Sequence, residues 1–252
     1  MKGCRWLLAG VALLLAAAAG AGAADADAPE GFTPLFNGKD LTGWKVPAGD
    51  NGHWKVKDGV IDYDARSEAK KGKDLWTQKS YRDFVLLIDW RLKTEPGLKR
   101  PVSYIGPDGE EVKGPDGKPK QVVIDDVDSG IYLRGSQKSQ VNIWMWPVGS
   151  GEVWGYRTDK NLSPEVRAGV TPKKHADRPR GEWNTFEITM RGDRLTVKLN
   201  GEEVISNARL PGVPKVGRIG LQHHGSFDAK TGKWTGPPSL VQFRNIAIKE
   251  LK

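Results

Sequence analysis

Along Gln140-Val141-Asn142-Ile143-Trp144-Met145-Trp146 two chemistries alternate. Successive side chains of a strand leave opposite faces of a sheet. Val141, Ile143 and Met145 therefore share one face, and Gln140, Asn142, Trp144 and Trp146 the other. Carboxamides make directional hydrogen bonds to hydroxyls, while an indole offers an apolar plane and one N–H donor. That combination suits a sugar ring. The same alternation in Asp128–Gly135 and Ile219–Gly225 turns Ile131, Leu133, Ile219 and Leu221 inward. It turns Asp128, Tyr132, Arg134, Gln222 and His224 outward.

Proton transfer needs a group that titrates near working pH, and neutral imidazole does so with little perturbation. His224, on the face of Gln222, is one candidate; His223 is expected to face the core or a loop. Glu152 is the other candidate. It follows the Gly149-Ser150-Gly151 turn and precedes Trp154 and Tyr156, aromatics that can desolvate it and raise its pKa. Its alternative is a solvated glutamate at a strand end. Arg134 offers fixed donors for a carbonyl or enolate oxygen, or a structural ion pair with Asp126 or Asp128. Tyr156 and Gln222 complete the candidate ligand contacts. His53 and His175 sit among turn residues and carry no special expectation.

The strand signals dominate the chain. Trp54–Lys57 and Val60–Tyr63 flank Asp58-Gly59, and Asn200-Gly201 separates two alternating runs, both tight-hairpin signals. Strands are also expected at Phe84–Leu92, Gln121–Ile124, Val216–Gln222 and Leu240–Lys249, and no segment sustains a 3.6-residue apolar period. Many short strands with Gly and Pro turns predict an all-β sandwich or jelly roll. Between residues 93 and 128 the rhythm breaks at two copies of Gly-Pro-Asp-Gly (106–109 and 114–117), each a turn by composition. This is expected to be a surface insertion, a β-ribbon or extended loop, either without function or forming a flap over the binding face.

Residues 1–24 have the layout of a secretory signal peptide, with Lys2 and Arg5 before a short apolar run and small residues at its end. The expectation is export to the periplasm or outside the cell, with no membrane insertion after cleavage. The single cysteine, Cys4, falls in this leader, so the mature protein has no disulfide. Removing Lys2 and Arg5 takes the formal charge from +8 to +6. The remaining Lys and Arg are scattered among Asp and Glu, without nucleic-acid-binding signatures, so no nucleic acid partner is expected. Oligomeric state cannot be read.

Taken in order, LFNGKDLTGW (35–44), SGIYLRG (129–135), LNGEEV (199–204) and IGLQHHG (219–225) with FRNIAIK (243–249) resemble the 3-keto-disaccharide hydrolase family over residues 31–252. The resemblance implies one concanavalin A-like jelly-roll β-sandwich domain, a His at the position of His224, and chemistry on glycosides oxidised to a ketone at C3. The chain departs from the pattern at one strand. Many members are similar to E-V-Q-I-L-D there, whereas Gln140, Asn142 and Met145 occupy the matching places. Two carboxylates are thereby missing, which leaves two readings. One is an enzyme that abstracts the C2 proton and eliminates the aglycone, with His224 or Glu152 as base, the other as acid, and Arg134, Asn142 and Gln222 as enolate and hydroxyl donors. The other is a non-catalytic carbohydrate-binding module. No closely spaced Glu-x-Asp-x-Glu run exists for direct two-carboxylate hydrolysis. No cofactor is required, no compact metal motif is present, and a divalent cation remains possible through Asp126, Asp128 or Glu152.

Overall fold

A computed structural model describes residues 28–252; the leader expected at residues 1–24 lies outside them. Two antiparallel sheets face one another. The larger runs Glu202–Arg209, Arg194–Leu199, Asn184–Arg191, Phe84–Leu92, Val241–Glu250, Val60–Tyr63, Lys55–Lys57, with Thr33–Pro34 added along Val241–Glu250. The smaller runs Ser136–Trp144, Asp128–Leu133, Gly220–Leu221, Leu75–Thr77, Trp44–Lys45. This is the all-β, concanavalin A-like jelly-roll sandwich expected.

Alternation builds the core. Phe84, Leu86, Ile88, Trp90 and Leu92 point inward from one strand, and Phe186, Ile188 and Met190 from its neighbour, with Phe186 opposite Ile88. Ile131, Leu133, Val141, Ile143 and Leu221 meet them from the smaller sheet. Each such side chain contributes about 1.5–3 kcal/mol relative to exposure. The two hairpin signals hold: Asp58 and Gly59 have φ of 51° and 75°, and Asn200 and Gly201 have 54° and 85°. Paired left-handed residues match the strand twist.

The expected strand at Val216–Gln222 is shorter, with Gly220–Leu221 alone in regular pairing. Two short helices, Trp154–Arg157 and Pro164–Gly169, follow the smaller sheet. One turn of helix is too brief for a periodic signature. Among the described residues no helix is long and apolar enough to cross a membrane.

The segment after Phe84–Leu92 is a two-stranded ribbon, Leu98–Ser103 against Gln121–Asp126. Each Gly-Pro-Asp-Gly copy closes on itself, with Gly109 N–H donating to Gly106 O and Gly117 N–H to Gly114 O. The ribbon is pinned to the body. Arg167 and Lys160 pair with Glu110, Lys173 Nζ donates to Pro107 O at 2.5 Å, and Arg180 holds Asp125 at 2.7 Å. At the first turn Gly109 has φ +80°, and a Cβ there would lie 2.9 Å from Thr171 Oγ1. A side chain would lift the tip off the helices.

Candidate functional site

A groove of about 730 Å³ lies on the outer face of the smaller sheet. Its floor comes from three strand segments. Register sets Gln140 against Tyr132, Asn142 against Gly130 and Trp144 against Asp128, so outward-facing residues stand in rows across the sheet. Gly130 leaves the middle of the floor without a side chain. A Cβ there would come within 2.2 Å of Gln140 Nε2. Gln140 instead lies over the strand, donating to Gln222 Oε1 at 2.5 Å and to Ser129 O at 3.2 Å. Gln222, His223, His224, Arg100, Trp146 and Trp154 complete the lining.

Five of the residues expected from sequence meet in this groove: Gln140, Asn142, Trp144, Gln222 and His224. The indole N–H of Trp144 is committed to Gly149 O at 2.8 Å, and its ring stacks on Trp146 at 4.8 Å. Trp144 therefore gives the groove a ring face and no donor. The more open indole is Trp154, half exposed at 50%.

Three expected residues lie elsewhere. Arg134 is 2% exposed. The strand ends at Leu133, and Arg134 (φ 52°) with Gly135 (φ 72°) makes the tight turn to the next strand. Alternation stops there, so the side chain leaves the groove face. It donates to Arg82 O, Gly192 O and Pro214 O and pairs with Asp83 at 2.7 Å. Glu152 is buried and paired with Arg157, with Oε2 sealed from solvent and unpartnered. It borders the strand only through its backbone, Asn142 N–H donating to Glu152 O at 2.9 Å. Tyr156 packs in the core, its hydroxyl donating to Pro211 O at 3.2 Å. None of the three faces the groove.

The structure brings forward a different carboxyl. Asp128 lines the groove, yet its Oδ1 is buried without a hydrogen-bond partner. Burial pushes its carboxyl up to about 7, against a smaller opposing pull from His224 and Arg100. The segment Pro237–Ser239 splints it to His224. Asp128 N–H donates to Pro238 O at 3.2 Å, Ser239 Oγ donates to Asp128 O at 2.8 Å, and His224 N–H donates to Ser239 Oγ at 2.7 Å. His224 Nδ1 meets Pro237 O at 2.6 Å. A carbonyl only accepts, so Nδ1 carries a proton, and in the neutral tautomer the lone pair is on Nε2.

His223, expected to face the core or a loop, also lines the groove, because regular strand pairing ends at Leu221. Its Nδ1 meets the buried Tyr63 hydroxyl at 2.6 Å. Burial pushes this imidazole down to about 4, so it stays neutral at ordinary pH. Asp126, one strand end away, is raised by burial and paired with Arg100 at 2.6 Å. Among the described residues no three His, Cys, Asp or Glu side chains gather as a metal-ligand set.

The 3-keto-alpha-glucoside-1,2-lyase-like domain matches residues 31–249. The chain belongs to this family. Membership of this family makes the chain a carbohydrate-active protein with carbohydrate as its class of partner. Two crystal structures of proposed glycosyl hydrolases from Parabacteroides distasonis ATCC 8503 share the sandwich. One is 21% identical, with a TM-score of 0.54 over 88% of this chain and 95% of that one. The other is 23% identical, with a TM-score of 0.55 over 88% and 84%. At these identities the likeness is one of fold. No protein of curated function gives a significant match.

Proposed function

We propose that this 3-keto-alpha-glucoside-1,2-lyase-like domain is an exported enzyme that cleaves glycosides carrying a ketone at C3. The observation that carries the reading is the splinted pair of Asp128 and His224, a carboxyl poised near 7 beside an imidazole with a free Nε2. A ketone at C3 acidifies the C2 hydrogen. His224 Nε2 takes that proton, and the C2–H electron pair becomes the enolate. The enolate then expels the C1 substituent: a C1–C2 double bond forms, the C1–O bond breaks, and the Asp128 carboxyl gives its proton to the departing oxygen. Addition of water across the new double bond completes net hydrolysis. Asp128 thus takes the place of Glu152 in the acid–base pair, because the site requires a carboxyl that reaches the groove.

The test is release of nitrophenol from p-nitrophenyl 3-keto-α- and 3-keto-β-glucopyranosides by the purified mature protein, with the unoxidised glucosides as controls. Turnover of a keto substrate alone supports elimination. His224→Gln should lower kcat about 10²-fold or more while substrate affinity changes little. The second reading, a carbohydrate-binding module, draws on Gln140 and Asn142 standing where carboxylates occur in relatives. It predicts binding of both glucoside forms with no release from either.

A further inference from the structure

The ribbon at Leu98–Asp126 is the largest feature this mechanism leaves unused, and it reaches the groove through Arg100. We propose that the ribbon is part of the catalytic centre and that Arg100 donates hydrogen bonds to the C3 oxygen as it becomes an enolate. The inference rests on the reading that the groove takes a 3-keto glycoside.

Proton loss from C2 leaves a full negative charge on the C3 oxygen, and a fixed donor or cation at that place lowers the barrier. The groove has two cations, Arg100 and Lys138. Lys138 is tied to Asp159 at 2.5 Å and lies 4.8 Å above the Tyr156 ring. Arg134, the guanidinium suggested by sequence, has spent its donors on three carbonyls and Asp83. Arg100 is differently placed. Its Nε and Nη2 both meet one oxygen, Asp126 Oδ2, at 2.7 and 2.6 Å. A guanidinium has five N–H donors, so that pairing leaves the Nη1 pair available. The side chain is 33% exposed, and its carbon centre lies 5.5 Å from the Trp146 ring centroid.

Asp126 is fully buried and ends the ribbon's return strand, two residues before Asp128. The anchor of the arginine and the titrating carboxyl are therefore one rigid piece of chain. At Gly97 a Cβ would lie 2.1 Å from Asp126 O, so the two ribbon strands close tightly beneath that ion pair. The docked Gly106–Gly109 tip and its ion pairs hold the far end. A floppy insertion would have to be ordered at each turnover; this one is preorganised.

The test compares wild type, Arg100→Met and Arg100→Lys on the p-nitrophenyl 3-keto-glucopyranosides, with circular dichroism verifying the fold of each. Arg100→Met should lower kcat about 10²-fold or more, with little change in affinity for the unoxidised glucoside. Arg100→Lys, which keeps charge without the planar fork, should fall between the two. Because Arg100 holds the Asp128 carboxyl down, the high-pH limb of the Arg100→Met profile should move to higher pH. That shift reports the charge of Arg100 beside Asp128; the loss of kcat at the pH optimum, with binding of the unoxidised glucoside retained, reports its contact with the enolate oxygen. Wild-type turnover with Arg100→Met within threefold in kcat overturns the inference alone. No wild-type release from either anomer overturns the functional reading and this inference with it. If Arg100→Met fails to fold, wild-type kcat in Arg100→Lys refutes the role of the fork.

Discussion

Asp128 should trade stability for its working pKa. In the folded protein its carboxyl is raised from 3.8 to about 7, with burial the largest cause. The sign follows from linkage: a carboxyl whose folded pKa exceeds its unfolded value favours folding only while protonated. Below about pH 4 it is protonated in both states and costs nothing. Between the two values, stability falls as pH rises; above about 7 the full penalty is present. A shift of about three pH units at 1.36 kcal/mol each is on the order of 4 kcal/mol. Asp128→Asn removes the titration while conserving shape. The variant should match wild type at pH 4 and exceed it at pH 8.5 by a few kcal/mol, while losing turnover. Urea unfolding of both proteins across pH 4–9 measures the difference. A difference that does not change with pH would refute the assignment, since a packing or hydrogen-bond effect of Asn has no reason to follow that titration.

Two further perturbations separate the groove from the scaffold. Trp154→Ala should weaken binding of a glucoside by about 1–3 kcal/mol, read by isothermal titration calorimetry, with thermal stability nearly unchanged because the indole is half exposed. Arg134→Met should cost about 3 kcal/mol of stability by stranding Asp83 and three backbone carbonyls, while its folded fraction binds sugar as wild type does; equal binding loss would return Arg134 to the site.

Much of the sandwich was legible because its signals are local. Alternation separated Ile131 and Leu133 from Tyr132, and Asn200-Gly201 fixed a hairpin by two adjacent residues. The same rule misplaced Arg134, since alternation ends where φ turns positive, and an Arg-Gly turn carries a weaker signal than Asn-Gly. Glu152 beside a Gly-rich turn could be read as desolvated or as solvated, and the buried ion pair with Arg157 that decides between them leaves no local signature. Asp128 was on the outward face from the start, but its sealed Oδ1 and the Ser239 bond arise across 111 positions of sequence. No local pattern in Pro237-Pro238-Ser239 announces a splint. Arg100 was hidden for a similar reason: the Gly-Pro-Asp-Gly turns advertise a surface loop, while the ion pairs that dock it are distant in sequence.

The strand Val241–Glu250 lies between Phe84–Leu92 and Val60–Tyr63, joining the two halves of the larger sheet. It directly follows the splint at Pro237–Ser239. A ribosome making this chain delivers that strand after every other element of the sheet, so the halves wait apart until it arrives. Contacts of such long sequence separation form slowly. The larger sheet is thus incomplete until synthesis has passed residue 250. Cutting the chain at 240 should leave two half-sheets that cannot be stitched together, even though every residue assigned to the chemistry is still present.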